Sequence, residues 1–187
     1  MPQTDDAMFY QLYFQTPGVA EAEFERDVRS TFCRLLYSAS GDAPGGNATM
    51  GNADTVGMVS RSDGFLSPLV EPRALPPWLT EADIEFFTGA FTHSGFRGGL
   101  NWYRNIDRNW ELLAPFAEAC VTVPALYVAG DRDLVVAFRG MDQLIPNLSQ
   151  FVPRLRKTVM LPGCGHWTQQ ERPEAVNAAI VDFLRGL

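Results

Sequence analysis

Two short apolar runs, Pro124 to Gly130 and Thr158 to Pro162, limit the fold more than anything else in this chain. Uninterrupted apolar runs of that length are typical of strands buried on both faces of a parallel sheet. A parallel pair needs a crossover, and Met141 to Phe151 lies between the runs as a predicted helical region. Pro173 opens a last helix as its first residue, with Val176, Ile180, Phe183 and Leu184 expected on the inward face. Two parallel strands and two helices do not make a self-sufficient sheet, because at least one long apolar edge stays unpaired. The expectation is therefore that a complementing chain or a second copy covers that edge, or that the polypeptide is the back portion of a larger domain.

The residues before Pro124 read as helical, with no strand among them. After Pro17-Gly18, the spacing of Phe24, Val28, Phe32, Leu35 and Leu36 predicts one helix with a buried face. Periodicity is lost from Ser38 to about Pro77, where Gly, Asn, Asp, Ser and Pro dominate; this predicts a long loop of the kind that forms lids. Thr80 then caps a helix with Asp83 at its third position, Ile84, Phe87 and Phe91 form its stripe, and Gly95 ends it. A third helix is predicted from near Asn101, with Trp102, Ile106 and Trp110 four residues apart. The chain thus divides at 115 into a helical lid, 1–115, and a strand–helix–strand–helix portion, 116–187, giving an α/β class.

Composition removes several functions. A net charge of −7 with a single lysine, Lys157, offers no basic stripe for phosphates, so no nucleic acid is expected as partner. Cys33, Cys120 and Cys164 are odd in number and form no CxxC pair, which indicates neither a disulfide framework nor a zinc site, and suits a reducing compartment. No stretch approaches the roughly 20 apolar residues of a membrane span, and Asp5 and Asp6 stand where a signal peptide would be positive. A cytoplasmic location is expected, which makes the Asn47-Ala48-Thr49 sequon a chance match.

The strands end on chemistry. The first runs into Gly130-Asp131-Arg132-Asp133, which puts Asp133 in the loop after the strand, where ligand-facing residues collect in parallel sheets. The second ends in Gly163-Cys164-Gly165, a turn that lets His166 project at the same end. Their 33-residue separation fits one strand–helix–strand unit, so the two side chains can meet. A carboxylate there would hold the imidazole in one tautomer and stabilise its cation, making a general base. The plainer alternative is that Asp133 caps a helix and His166 is a turn residue; Asp131 is the competing acid, ranked below Asp133.

Four segments carry a family likeness: Phe9 to Gln15 with Pro17 to Glu21; Ser94 to Asn105; Gly130 to Asp133; and Gly163 to Gln169. In these the chain resembles the soluble epoxide hydrolase family of the α/β-hydrolases. The second segment is the most specific, since it separates epoxide hydrolases from dehalogenases and esterases that share the acid and the histidine. The resemblance implies a partial α/β-hydrolase fold, a helical cap followed by the last two parallel strands and their helices. It implies that a carboxylate nucleophile opens an epoxide while cap tyrosines hydrogen-bond the oxygen, after which His166, oriented by Asp133, activates water against the covalent ester. The tyrosines carried over are Tyr10 and Tyr103, with Tyr13 the nearest rival to Tyr10. Gln11, Phe14 and Trp102 are the implied substrate contacts, Trp110 is a further lining or lid-core residue, and His93 is a helix-end residue. The implied substrate is a small apolar epoxide, and neither cofactor nor metal is needed.

The family's nucleophilic Asp on a strand–helix elbow, and the His-Gly loop before it, have no counterpart in this sequence, and no G-x-S-x-G elbow replaces them. Asp5 and Asp6 precede the first cap segment without a strand or elbow. The chain alone is therefore expected to be nearly inactive, because triad members act as a unit. The remaining alternatives are a non-catalytic interaction module that uses the strand edge, and another subtype such as a haloalkane dehalogenase.

Overall fold

A computed structural model describes residues 1–44 and 55–187, so the Asn47-Ala48-Thr49 sequon and the middle of the 38–77 segment lie outside the described residues. The chain forms two units, Met1–Ser38 with Gly57–Pro115, and Ala39–Val56 with Phe116–Leu187. Residues 39–44, assigned by sequence to the first 115, thus group with the C-terminal portion.

The first unit holds a ribbon that sequence did not reveal. Strand β1 (Ala7–Phe9) pairs antiparallel with β2 (Met58–Ser60), Met8 opposite Val59. Three residues are too few to display an alternation, so neither strand stands out in the sequence. Helix α1 (Tyr10–Tyr13) follows at once. The single helix predicted after Gly18 is two, α2 (Val19–Phe24) and α3 (Val28–Ser38). Asp27 breaks it: its Oδ1 accepts the Ser30 N–H at 2.9 Å as a new cap, while the Thr31 hydroxyl donates to the Phe24 carbonyl at 2.9 Å.

Helix α4 (Glu81–Ser94) begins as predicted, Thr80 and Asp83 exchanging hydrogen bonds at 2.8 and 3.2 Å, and ends at Gly95 with φ +68°. The third predicted helix starts earlier and is also divided, into α5 (Arg97–Arg104) and α6 (Ile106–Leu113). Between them Asn105 Nδ2 donates to the Asn101 carbonyl at 2.7 Å, supplying from a side chain what the next helical N–H would have supplied. Phe14, Phe24, Phe32, Ile84, Phe96 and Leu100 form the core of this unit, mostly through tilted and edge-on ring contacts.

In the second unit β3 (Ala125–Gly130) and β4 (Leu155–Leu161) run parallel, Val128 opposite Val159 and Gly130 opposite Leu161. The predicted crossover helix shrinks to α7 (Met141–Leu144) followed by a 3-10 helix, Ile145–Gln150, because Pro146 has no N–H to continue an α-helical ladder. A short α8 (Thr168–Glu171) then leads into α9 (Pro173–Arg185). Val176 packs with Leu161 and Cys164, and Ala179 is buried. Ile180 and Leu184, expected inward, are 42% and 58% exposed. A sheet two strands wide covers only one flank of the helix. Among the described residues β3 and β4 have only each other as sheet neighbours, and no helix is long and apolar enough to cross a membrane.

Candidate active site

The loop after β3 is stitched to the turn after β4. Asp131 N donates to the Leu161 carbonyl at 3.1 Å, and Arg132 N to the Cys164 carbonyl at 2.9 Å. Asp131 Oδ1 accepts the Gly163 N–H at 2.8 Å, so the competing acid fastens the turn. Asp133 and His166 come together: Oδ1 lies 3.0 Å from Nδ1. The same oxygen caps the 3-10 helix Leu134–Ala137 by accepting the Val135 N–H at 2.9 Å. Asp133 is thus a cap and a histidine partner at once.

An ionised carboxylate only accepts, so the proton of this pair sits on Nδ1 and leaves Nε2 as the basic nitrogen. The hydrogen bond that His166 donates to Asp133 raises the His166 pKa above the ordinary 6.5 against the opposing effect of burial, with the charges of Asp133 and Glu171 adding to it. The Trp167 ring stands edge-on to the imidazole, centroids 4.9 Å apart.

Three glycines let backbones cross beneath this pair. A Cβ on Gly130 would collide with the carbonyls of Cys164 and Gly165, one on Gly41 with that of Gly163, and one on Gly165 with the backbone of Ser40 and Gly41. His166 N donates to the Ala39 carbonyl at 2.9 Å, and the Arg132 guanidinium to that of Gly41 at 2.8 Å. Glu171, which gave no signal in the sequence beyond an ordinary acidic residue before a helix, is buried here and accepts the N–H groups of Gly41, Gly165 and Trp167. Cys164 is fully buried, and burial, with Glu171's charge, pushes its thiol up to about 11, far from a reactive thiolate.

In the first unit, α1 presents Tyr10, whose N–H donates to the Gly57 carbonyl at 2.8 Å. Its ring meets that of Tyr103 from α5 edge-on, centroids 5.7 Å apart. Burial, then the neighbouring Tyr10, raises the Tyr103 phenol above its ordinary value of 10. Gln11 Nε2 donates to the Tyr10 hydroxyl at 3.2 Å, while Gln15 Nε2 donates to the carbonyls of Gln11 and Tyr103 at 2.8 and 2.9 Å. Behind the pair, Arg104 grips Glu21 with two nitrogens at 2.7 and 2.9 Å and also donates to the Phe14 carbonyl at 2.9 Å. That grip lowers the Glu21 carboxyl to about 2. Tyr13, the rival tyrosine, donates its hydroxyl to Glu23 at 2.7 Å; burial and that partner raise its pKa strongly.

Of the expected substrate contacts, Phe14 is placed otherwise. Phe14 is 5% exposed and enclosed by the rings of Tyr10, Phe24, Phe65 and Tyr103, so it is core that supports the tyrosines. Trp102 is 79% exposed and Trp110 78%, so neither packs the core of this unit. Trp102 lies on the outer side of α5, whose inner side is taken by Leu100 and Tyr103, and Trp110 lies on α6. His93 lies exposed in the last turn of α4. Among the described residues no group of three or more His, Cys, Asp or Glu could hold a metal ion.

Comparison with known proteins gives a consistent set of relatives. Epoxide hydrolase A of Mycobacterium tuberculosis is 41% identical over 179 residues, 96% of this chain and 52% of that protein. The solved structure of an epoxide hydrolase from an endophytic Streptomyces matches with a TM-score of 0.87 at 38% identity, over 98% of this chain and 53% of the other. Epoxide hydrolase A from Mycobacterium thermoresistibile gives a TM-score of 0.81 at 41% identity, again over 98% of this chain and 54% of the other. No family model matches. The chain spans about half the length of these relatives.

Proposed function

This chain is homologous to the epoxide hydrolases of the α/β-hydrolase fold over about half of their length, and on that premise we propose that it carries the water-activating base and the oxygen-binding tyrosines of an epoxide hydrolase. The observation that supports the base most directly is the 3.0 Å contact between Asp133 and His166 Nδ1. The first unit is assigned as cap, the second as part of the hydrolase core. Gln11, through its bond to the Tyr10 hydroxyl, is assigned to orienting that phenol, and exposed Trp102 to contact with substrate.

In the proposed reaction a carboxylate oxygen attacks one epoxide carbon and the C–O bond opens. The resulting alkoxide takes a proton from a Tyr10 or Tyr103 phenol, leaving a hydroxyl ester. Nε2 of His166 then takes a proton from water, whose oxygen adds to the ester carbonyl carbon. The tetrahedral intermediate collapses with cleavage of the ester C–O bond, and the leaving alkoxide takes the proton of the new carboxylic acid to complete the vicinal diol. The imidazolium returns its proton to the tyrosinate, so that carboxylate, imidazole and phenol are all regenerated. Asp133 stabilises the imidazolium meanwhile. We assign the nucleophilic carboxylate to the rest of the hydrolase core, whether a complementing chain or a further part of the same domain, which pairs with the open β-sheet edge and covers Met160, Ile180 and Leu184, 38%, 42% and 58% exposed. The substrate is assigned as a small apolar epoxide. Free Cys33, Cys120 and Cys164 suit a cytoplasmic setting.

The test mixes the purified chain with the separately produced first half of Epoxide hydrolase A of Mycobacterium tuberculosis and follows diol formation from styrene oxide. The chain alone should match the uncatalysed control. The mixture should form diol, His166→Gln should stop it, and Tyr103→Phe should slow it by at least about 100-fold, in the range of one lost oxyanion donor. A mixture without activity, or one indifferent to His166→Gln, overturns the proposal. An active mixture indifferent to Tyr103→Phe would instead favour a hydrolase subtype without the tyrosine pair.

A further inference from the structure

We propose that Glu171 is the positioning residue of the base: its buried carboxylate clamps the backbone on both sides of His166 and so holds Nδ1 against Asp133. The inference rests on the assignment of Asp133 and His166 as orienter and base, and goes beyond it by naming what keeps them in register.

Glu171 is 6% exposed, in α8. Its Oε2 accepts the Gly165 N–H at 2.8 Å and the Gly41 N–H at 2.9 Å, and its Oε1 accepts the Trp167 N–H at 3.0 Å. Gly165 and Trp167 are the residues immediately before and after His166. The His166 N–H goes to the Ala39 carbonyl at 2.9 Å, two residues from the Gly41 that Glu171 also holds. All three consecutive amides of the turn are therefore fixed, two directly by Glu171 and one by the turn Ala39–Gly41 that it grips.

The nearby guanidinium groups turn their donors elsewhere. Arg172 donates to the backbone carbonyls of Glu171 and Gly163, and Arg132 to that of Gly41. Three backbone dipoles thus hold the carboxylate where a solvent-exposed turn would need no charge at all. A neutral side chain of similar length cannot replace it, because an amide offers one accepting oxygen and would aim its NH2 at a backbone donor. On the other side Asp133 is fixed by the Val135 N–H. With both partners anchored through backbone, the 3.0 Å contact persists without relying on two mobile side chains.

Loss of the clamp should therefore appear in the His166 titration. The groups that bear on this imidazole are Asp133 and Glu171. Of the other titratable and charged groups in the adjoining segments, Asp131 holds the Gly163 N–H, Arg132 the Gly41 carbonyl and Arg172 the carbonyls of Glu171 and Gly163. The chain has two histidines, so two imidazole resonances are expected, one of them from His93 on the other unit.

The experiment follows the imidazole Cε1–H resonance against pH in the native chain, Asp133→Asn, Glu171→Gln and the double variant. Glu171→Gln should lower the His166 pKa in the native background and have a clearly smaller effect in the Asp133→Asn background, because a loosened turn has no partner left to lose. Equal shifts in the two backgrounds would mean that Glu171 acts by its charge alone, and overturn the positioning role. Amide hydrogen exchange on the native chain stands apart from whether any variant folds: the N–H groups of Gly41, Gly165 and Trp167 should exchange at least about 100-fold more slowly than in an unstructured peptide, and free exchange overturns the clamp. An Asp133→Asn change that leaves His166 unmoved would sink the base assignment itself, which separates that failure from a failure of the clamp.

Discussion

A single oxygen, Oδ1 of Asp133, accepts from both the Val135 N–H at 2.9 Å and His166 Nδ1 at 3.0 Å. Protonating His166 strengthens a bond whose acceptor is already locked by the backbone, so the folded state favours the imidazolium. Its pKa is raised, so the stabilisation is fully present below the unfolded value of 6.5 and is lost as pH rises through the higher folded value. The urea midpoint of the chain should be higher at pH 6 than at pH 8.5 for this reason. Asp133→Asn should shrink that difference, and an unchanged difference would refute the linkage.

Glu21 and Arg104 give the opposite pH dependence. The pair is nearly buried, with side chains 11% and 12% exposed, and the carboxyl falls to about 2. A depressed carboxyl stabilises the fold above its unfolded value of 4.5, and the contribution disappears as pH falls from there through about 2. Acid unfolding should begin in that window. Arg104→Met strands a buried carboxylate, so it should cost about 3 kcal/mol by chemical denaturation at pH 7 and flatten the acid limb.

Replacing Gly165 with Ala should be more damaging than its size suggests. The added methyl meets backbone atoms of Ser40 and Gly41, which cannot rotate away as a side-chain end would. A loss of about 3 kcal/mol in denaturant stability is expected, at the upper end for overpacking. Gly98→Ala is the control: apart from its own helix backbone and chain neighbours, nothing lies within 4 Å of an added Cβ, and the residue is inside α5, so the change should be neutral or mildly stabilising.

The open sheet and the exposed flank of α9 should make the chain associate. Light scattering should show an average mass that rises with concentration, and Ile180→Lys with Leu184→Glu should reduce the rise without lowering helix content by circular dichroism. A mass that stays monomeric throughout would argue against an adhesive surface here.

Legibility in the sequence followed the range of the interactions. The Thr80 cap, the Pro173 start, the parallel strands and the meeting of Asp133 with His166 all depend on short apolar runs or on partners one unit apart, and these leave a local trace. The break at Asp27 did not, because Phe24 and Phe32 keep a helical spacing whether or not the backbone between them is helical. Glu171 left no trace either, since its partners include Gly41, 130 residues away. Phe14 and Trp102 are both aromatic and both near a tyrosine, and only packing tells that one is enclosed and the other exposed. Gly41, Gly130 and Gly165 show their need for a bare Cα only once three segments are brought into contact.

The grouping of Ala39 and Gly41 with the last seventy residues has a temporal consequence. On a ribosome Gly41 is made 130 residues before the Glu171 carboxylate that engages it, and Ala39 likewise waits for the His166 N–H. Closure of so long a loop is slow relative to helix formation, so the turn bearing the imidazole should be among the last parts of the chain to order. A piece cut at residue 116 would carry Asp133 and His166 and still lack the acceptor for one amide and the donor for one carboxylate oxygen. Acid and base are near in space through contributions from two segments far apart in the sequence, and they would be born without their footing if either segment were made alone.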